Sequence, residues 1–244
     1  MSRFPTTRGS VLDRMRSGEA PVRARALETL AEAYWRPVYA YIRFHWNRSH
    51  EEAADLTQDL FARILEKDVL ARFDPAKARL RTYLRVIVDG LVANELKAAS
   101  RKKRGGGAPH LSLDFEAVRR EVDASPPGAP ASPDELFERE WVRSVFGLAV
   151  ERQRRSCEAA GRPVRFELFS LYDLEGGSGD AEPRPTYEAL ALRFGLPVTD
   201  VTNNLAAARR DFRKSVLAVL RELTASDAEY QREARALLGV EPAA

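Results

Sequence analysis

The chain has 244 residues, 39 Lys+Arg against 36 Asp+Glu, a net charge of +3 and 44% hydrophobic residues. That apolar content excludes disorder throughout, and the near balance of charge excludes a polyanion coat that is basic from end to end, so a nucleic-acid partner must be met by local basic clusters. Cys157 is the single cysteine, which rules out an intramolecular disulfide; His45, His50 and His110 stand in no zinc-binding spacing, so no metal is implied.

Helical periodicity runs through the chain and strand signals are nearly absent, so the fold class is read as all-α, with two small helical domains joined by a flexible linker. The opening MSRFPTTRGSVLDRM lacks the apolar run of a signal peptide, and no stretch approaches a membrane span. The chain is expected to be soluble and cytoplasmic, without a membrane partner. Residues 1–17 are taken as an N-terminal segment and 18–104 as the first domain. Leu27, Leu30, Tyr34, Val38 and Tyr41 recur at spacings of three and four, the mark of an amphipathic helix. Ser49 and Glu52 make a capping box that opens a helix reaching about Glu66. At about 100° per residue, Glu51, Glu52, Asp55, Asp59 and Glu66 fall in one arc, opposite Ala53, Leu56, Leu60, Phe61 and Ile64. A face of one charge sign suits docking on a basic partner better than mere solvation, which usually interleaves Lys and Arg.

Asp74-Pro75 reads as an N-cap with proline at the first helical position, followed by an apolar stripe of Leu80, Leu84, Ile87, Val88 and Leu91. Arg79, Arg81, Arg85, Lys97 and Arg101 accompany that helix up to the run Arg101-Lys102-Lys103-Arg104, with Phe73 and Tyr83 among them. Cations track phosphates and aromatic rings stack on unpaired bases, a combination suited to melted DNA. For Tyr83 a core position fits equally well.

Residues 105–133 begin Gly105-Gly106-Gly107 and include Pro126, Pro127, Pro130 and Pro133, a linker composition, with a short helix expected around Phe115 to Val122. Ser132-Pro133-Asp134-Glu135 restarts order and opens a second domain, 134–224, broken by a glycine-rich loop at Gly176-Gly177-Ser178-Gly179. Within it, a helix from Thr186 to Phe194, a turn at Gly195-Leu196-Pro197 and a helix from Thr199 spell a helix-turn-helix. Leu190, Ala191, Phe194, Val201, Leu205, Ala208 and Phe212 would face inward. Thr199, Asn203, Ala206, Ala207, Arg210 and Lys214, with Arg213 beside them, would face outward. Asn bonds adenine, Ala meets a thymine methyl, and Arg or Lys grips guanine or phosphate. A plain helical hairpin shares the pattern. The tail, 225–244, spaces Tyr230, Ala234, Leu237 and Leu238 as one more short helix.

Tyr34-Trp35-Arg36-Pro37-Val38-Tyr39 and Ala54-Asp55-Leu56-Thr57-Gln58-Asp59-Leu60-Phe61 resemble the polymerase-binding part of extracytoplasmic-function sigma factors of the sigma-70 family. Phe73-Asp74-Pro75 with Leu80-Arg81-Thr82-Tyr83-Leu84 is similar to that family's −10 recognition and melting segment, and Thr186 through Arg213 to its −35 recognition domain. The resemblance implies two partners, core RNA polymerase and promoter DNA. It places Asp55, Gln58, Asp59 and Phe61 against the polymerase. Arg72, Phe73, Lys77 and Arg79 would lie around flipped −10 bases, with Arg81, Tyr83 and Lys97 supporting strand opening and Arg101 in the DNA-binding basic run beyond them. Thr199, Asn203, Ala206, Ala207, Arg210, Arg213 and Lys214 would read the −35 element. Gly90 and Asn94 depart from the residues frequent at those places, and Cys157 to Pro185 and the tail are additions that resemble a longer subgroup, for which regulation is expected to differ from the simple membrane anti-sigma scheme; an anti-sigma factor, phosphorylation by a regulatory kinase and masking by the tail stay open as the means of control. No nucleophile–base pair or phosphate-cradling glycine loop is present, so neither catalysis nor a cofactor or small-molecule substrate is expected. A stand-alone helix-turn-helix repressor would account only for the residues after Thr186, leaving the acidic helix and the melting-like segment unexplained, and a helical interaction adaptor would make all the charges solvated faces.

Overall fold

The computed structural model describes residues 10–66, 69–99, 113–116, 118–119, 132–175 and 184–239, all helix, turn or coil with no strand among them. The expected linker therefore lies largely outside the described residues, as do the Arg101–Arg104 run, Gly176–Gly179 and the first nine residues. Two compact units are formed, interleaved along the chain: one comprises residues 1–145 and 220–244, the other residues 146–219.

The first unit begins with α1, Val11–Met15, closed by a reciprocal Ser10–Asp13 capping box and burying Val11, Leu12 and Met15. Helix α2, Ala20–Phe44, tolerates Pro37 in its interior and buries the predicted stripe of Leu27, Leu30, Tyr34, Val38 and Tyr41. Helix α3, His50–Glu66, starts at the expected box: Glu52 N donates to Ser49 Oγ at 3.1 Å and Ser49 N to Glu52 Oε2 at 3.0 Å. Its Ala53, Leu60, Phe61 and Ile64 are buried against α2 and α4, each large apolar side chain contributing about 1.5–3 kcal/mol.

The expected cap at Asp74 makes a turn rather than a helix. Asp74 Oδ1 accepts from Ala76 N at 3.0 Å and the Asp74 carbonyl takes Lys77 N at 3.0 Å, which closes one turn locally. A 3-10 turn at Val69–Arg72 precedes it, and α4, Leu80–Ala99, begins only after it. Leu80, Leu84, Val88 and Leu91 then fill the core as the periodicity requires. Phe115, Glu116, Val118 and Arg119 are helical, and Phe115 packs edge-on against Trp35 at 5.3 Å; the rest of that expected helix lies outside the described residues.

Ser132 caps α5, Pro133–Ala159, through Glu135 N at 3.2 Å, and the part of α5 up to Val145 belongs to the first unit. The unit is completed by α9, Asp227–Leu238, which is capped at one end by Ser226 and at the other by Gly239 in the left-handed conformation.

The second unit holds the remainder of α5, then α6, Pro163–Phe169, a π-helical turn at Ser170–Glu175, α7, Tyr187–Phe194, and α8, Val198–Leu223, up to Val219. Its core is Leu168, Leu190, Ala191, Val201 and Leu205, with Phe194 and Leu196 at the margin. Phe212 lies between the Phe146 and Phe169 rings at 5.9 and 5.3 Å. Gln153 Nε2, buried, donates to the Ala208 carbonyl at 2.9 Å and ties α5 to α8.

Candidate functional site

Three surfaces carry the residues singled out in the sequence. The first is the outer side of α3. Glu51, Glu52 and Asp55 are exposed, Gln58 and Asp59 are half-buried, and Asp59 pairs with Arg63 at 2.7 Å one turn on. Phe61 falls on the opposite arc and is wholly buried, so it serves the core instead of the acidic face. The side chain of Glu66 lies outside the described residues.

The second surface surrounds the start of α4. Arg72 and Lys77 are exposed, Lys77 reaching Asp74 at 3.4 Å. Phe73 is buried and its ring lies 5.2 Å from that of Tyr83. Tyr83 is half-buried and donates its hydroxyl to the Val69 carbonyl at 2.8 Å, which braces the 3-10 turn against α4. Lys97 is exposed near the end of the helix, and Arg101 lies outside the described residues.

Arg81 sits apart from the others. Its side chain is only 6% exposed, and three groups surround the guanidinium. Glu138 of α5 meets it side-on, Nε to Oε2 at 2.5 Å and Nη2 to Oε1 at 2.8 Å. Glu233 of α9, itself 2% exposed, brings Oε1 to 2.7 Å from Nη1 and to 3.5 Å from Arg79. The indole of Trp141 lies beneath, 4.4 Å from the guanidinium carbon. Burial alone would lower the Arg81 pKa; the close carboxylate of Glu233, then that of Glu138, hold it above the usual arginine range. Burial likewise pushes the neighbouring Tyr34 hydroxyl far above its ordinary range. Further along α4, Arg85 pairs with Asp134 of α5 at 2.8 Å, while Tyr41 and Trp46 both donate to Asp89, at 2.9 and 3.0 Å.

Glu138, Trp141 and Glu233 went unnoticed in the sequence. The signal was present: Asp134, Glu138 and Trp141 fall one helical turn apart on one side of α5, and Glu233 lies beside the buried Ala234 and a turn from Tyr230. Carboxylates are ordinarily solvated, so the periodicity of Tyr230 and Ala234 alone gave no reason to bury Glu233.

The third surface belongs to the second unit. Thr186 caps α7 by accepting from Ala189 N at 3.1 Å, and Gly195 ends it at φ +64°, a left-handed conformation that disfavours a side chain. Leu196 N returns to the Ala191 carbonyl at 3.0 Å and α8 starts at Val198. The two helices bury Leu190, Ala191, Val201 and Leu205 between them. On the far side of α8, Thr199, Asn203, Arg210, Arg213 and Lys214 are exposed and Ala206 and Ala207 half-buried, with Lys214 reaching Asp211 at 3.3 Å. The turn ahead of α7 also contributes: Asp173 grips Arg209 through Nε and Nη2, both at 3.0 Å, and raises its pKa.

No group of His, Cys, Asp and Glu that could hold a metal occurs among the described residues, and no described helix is long and apolar enough to cross a membrane. Residues 30–102 match the family model for Sigma-70 region 2, which covers α2 from Leu30, α3 and α4. No curated protein and no solved structure matches the chain. The match spans less than half of the chain and is a likeness to that one region of sigma-70 factors.

Proposed function

We propose that this chain is a sigma factor of the extracytoplasmic-function type that docks on core RNA polymerase through α3 and selects promoters by their −10 and −35 elements. One observation carries the reading: the Sigma-70 region 2 match spans the helix whose Glu51, Glu52 and Asp55 stand exposed opposite a buried apolar stripe. A one-sign face of this kind steers a basic partner and fixes its register. Asp55, Gln58 and Asp59 make the contact, and Phe61 holds the helix from beneath.

Arg72, Phe73, Lys77 and Arg79 frame the pocket for flipped bases, and Arg81, Tyr83 and Lys97 assist opening, with Arg101 in the DNA-binding basic run beyond them. Helices α7 and α8 act as a helix-turn-helix, with Thr199, Asn203, Ala206, Ala207, Arg210, Arg213 and Lys214 toward the −35 duplex. The residues proposed for the −10 and the −35 element lie in different units of the chain, so that one polymerase makes the second DNA contact effectively intramolecular. The factor works in the cytoplasm without chemistry of its own, under an anti-sigma factor or a kinase.

The test combines core binding with run-off transcription on a library of upstream regions. Asp55→Lys with Asp59→Lys is expected to weaken core binding about 100-fold or more while leaving the helical signal intact. Undiminished binding by the folded variant would refute the docking face. Factor-dependent transcripts sharing a sequence motif would establish promoter selection.

A further inference from the structure

The basic start of α4 is covered by carboxylates from parts of the same chain that follow the 105–133 segment. Asp134 takes Arg85, Glu138 takes Arg81, and Glu233 of α9 reaches both Arg81 and Arg79. These arginines belong to the group proposed to meet DNA phosphates, and a carboxylate is the side chain closest to a phosphate in charge and geometry.

The pairing made by Glu233 is a poor source of stability. Burying two charges costs about as much as their attraction returns, and Glu233 Oε1, although 2.7 Å from Arg81, receives no aligned hydrogen bond. Its placement is better explained by what it covers.

Helix α9 is also built to leave as a unit. Its first turn is closed by Ser226, with Glu229 N donating to Ser226 Oγ at 3.2 Å and Ala225 N to Glu229 Oε2 at 2.8 Å. Its last turn ends on Gly239, so detaching it strands few backbone groups. Only Thr224–Ser226 joins it to α8, where Arg221 both pairs with Asp227 and lies 4.0 Å from the Tyr230 ring.

We infer that α9 is an autoinhibitory latch: Glu233 occupies the Arg79–Arg81 site in the free protein and is displaced when nucleic acid phosphates take its place. The latch rests on the proposed reading of these arginines as DNA contacts. With α9 closed, DNA affinity is held down; with α9 released, Arg79 is freed and Arg81 keeps only its Glu138 partner and the Trp141 ring.

The experiment is hydrogen–deuterium exchange on the full-length protein, alone, with core polymerase, and with core plus a forked DNA carrying a random-sequence single-stranded overhang. Core and DNA binding are scored in the same samples. Residues 227–238 are expected to exchange at least about tenfold faster in the DNA complex than in the free protein, because a helix of this length scarcely holds alone. Glu233→Gln, which keeps the shape and removes the charge, is expected to bind the forked DNA with core about tenfold more tightly, whereas Arg232→Gln on the exposed side of α9 leaves affinity unchanged. If DNA and core bind while 227–238 stay protected, the latch is wrong and the sigma-factor reading stands. If neither binds any version, the reading falls and the latch with it.

Discussion

Two arginine-bearing helices of this molecule differ in what faces them. On α4 and the residue just before it, Arg79, Arg81 and Arg85 each meet a carboxylate contributed by α5 or α9. On the far side of α8, Arg210 and Arg213 are exposed and carry no hydrogen bond or ion pair among the described residues, and Asn203 beside them is equally free. Both helices suggest nucleic acid in the sequence, yet one is presented open and the other closed by its own chain. Basic residue type therefore says where phosphate can bind, while the carboxylates packed opposite decide whether it is admitted.

The sharpest way to break that contrast is to remove one arginine from each helix. Arg81→Ala strips buried Glu233 of its nearer cation, leaving only Arg79 at 3.5 Å, and is expected to cost about 3–5 kcal/mol in urea unfolding. Arg210→Ala removes only a solvated side chain and should stay within about 0.5 kcal/mol of the wild type. Equal small effects would mean that Arg81 is no more committed to the fold than Arg210, and the distinction between closed and open helices would be lost.

A smaller effect sharpens the open side. Asn203→Ala should cost about 1–3 kcal/mol of discrimination at one or two base positions upstream, measured on a randomised duplex library in the presence of core polymerase. Arg213→Ala should instead weaken binding to all sequences alike and flatten the salt dependence. A uniform loss for Asn203→Ala would reassign it from base edge to backbone.

Much of the fold was legible because helices announce themselves by apolar spacing and caps. The Ser49–Glu52 box and the Gly195 turn stand where the sequence puts them, and Thr186, read as the first helical residue, is the cap just before it. Asp74-Pro75 misled because an Asx turn and a helix cap use the same carboxylate on the same amides, and only the following residues decide between them. The candidate site was legible in its residue types and opaque in its pairing. Arg81 and Glu233 lie 152 positions apart in the numbering (233 − 81), and no local pattern links them. That Phe61 and Phe73 are buried follows from tertiary closure over α3 and α4, which a wheel of one helix only half predicts.

The smallest expected effect concerns charge pairs that serve the fold alone. On α5 within the second unit, Glu151 accepts from Arg154 Nη2 at 2.8 Å and from Arg155 Nε at 2.7 Å, and these contacts, Arg154 first, bring its pKa down from 4.5 to about 2. A carboxyl whose pKa is depressed on folding adds stability above its unfolded value and loses it as the pH falls toward the folded one. The contribution should therefore be whole above pH 4.5 and fade between there and about 2. The cluster is partly exposed, so its full size should remain under about 1 kcal/mol and shrink further in molar salt. Glu151→Gln is expected to melt slightly below the wild type at pH 7, with the gap narrowing once the pH drops below 4.5. A gap that held constant down to pH 3 would show that Glu151 acts through packing, and that these arginines, unlike those of α4, owe nothing to the carboxylate beside them.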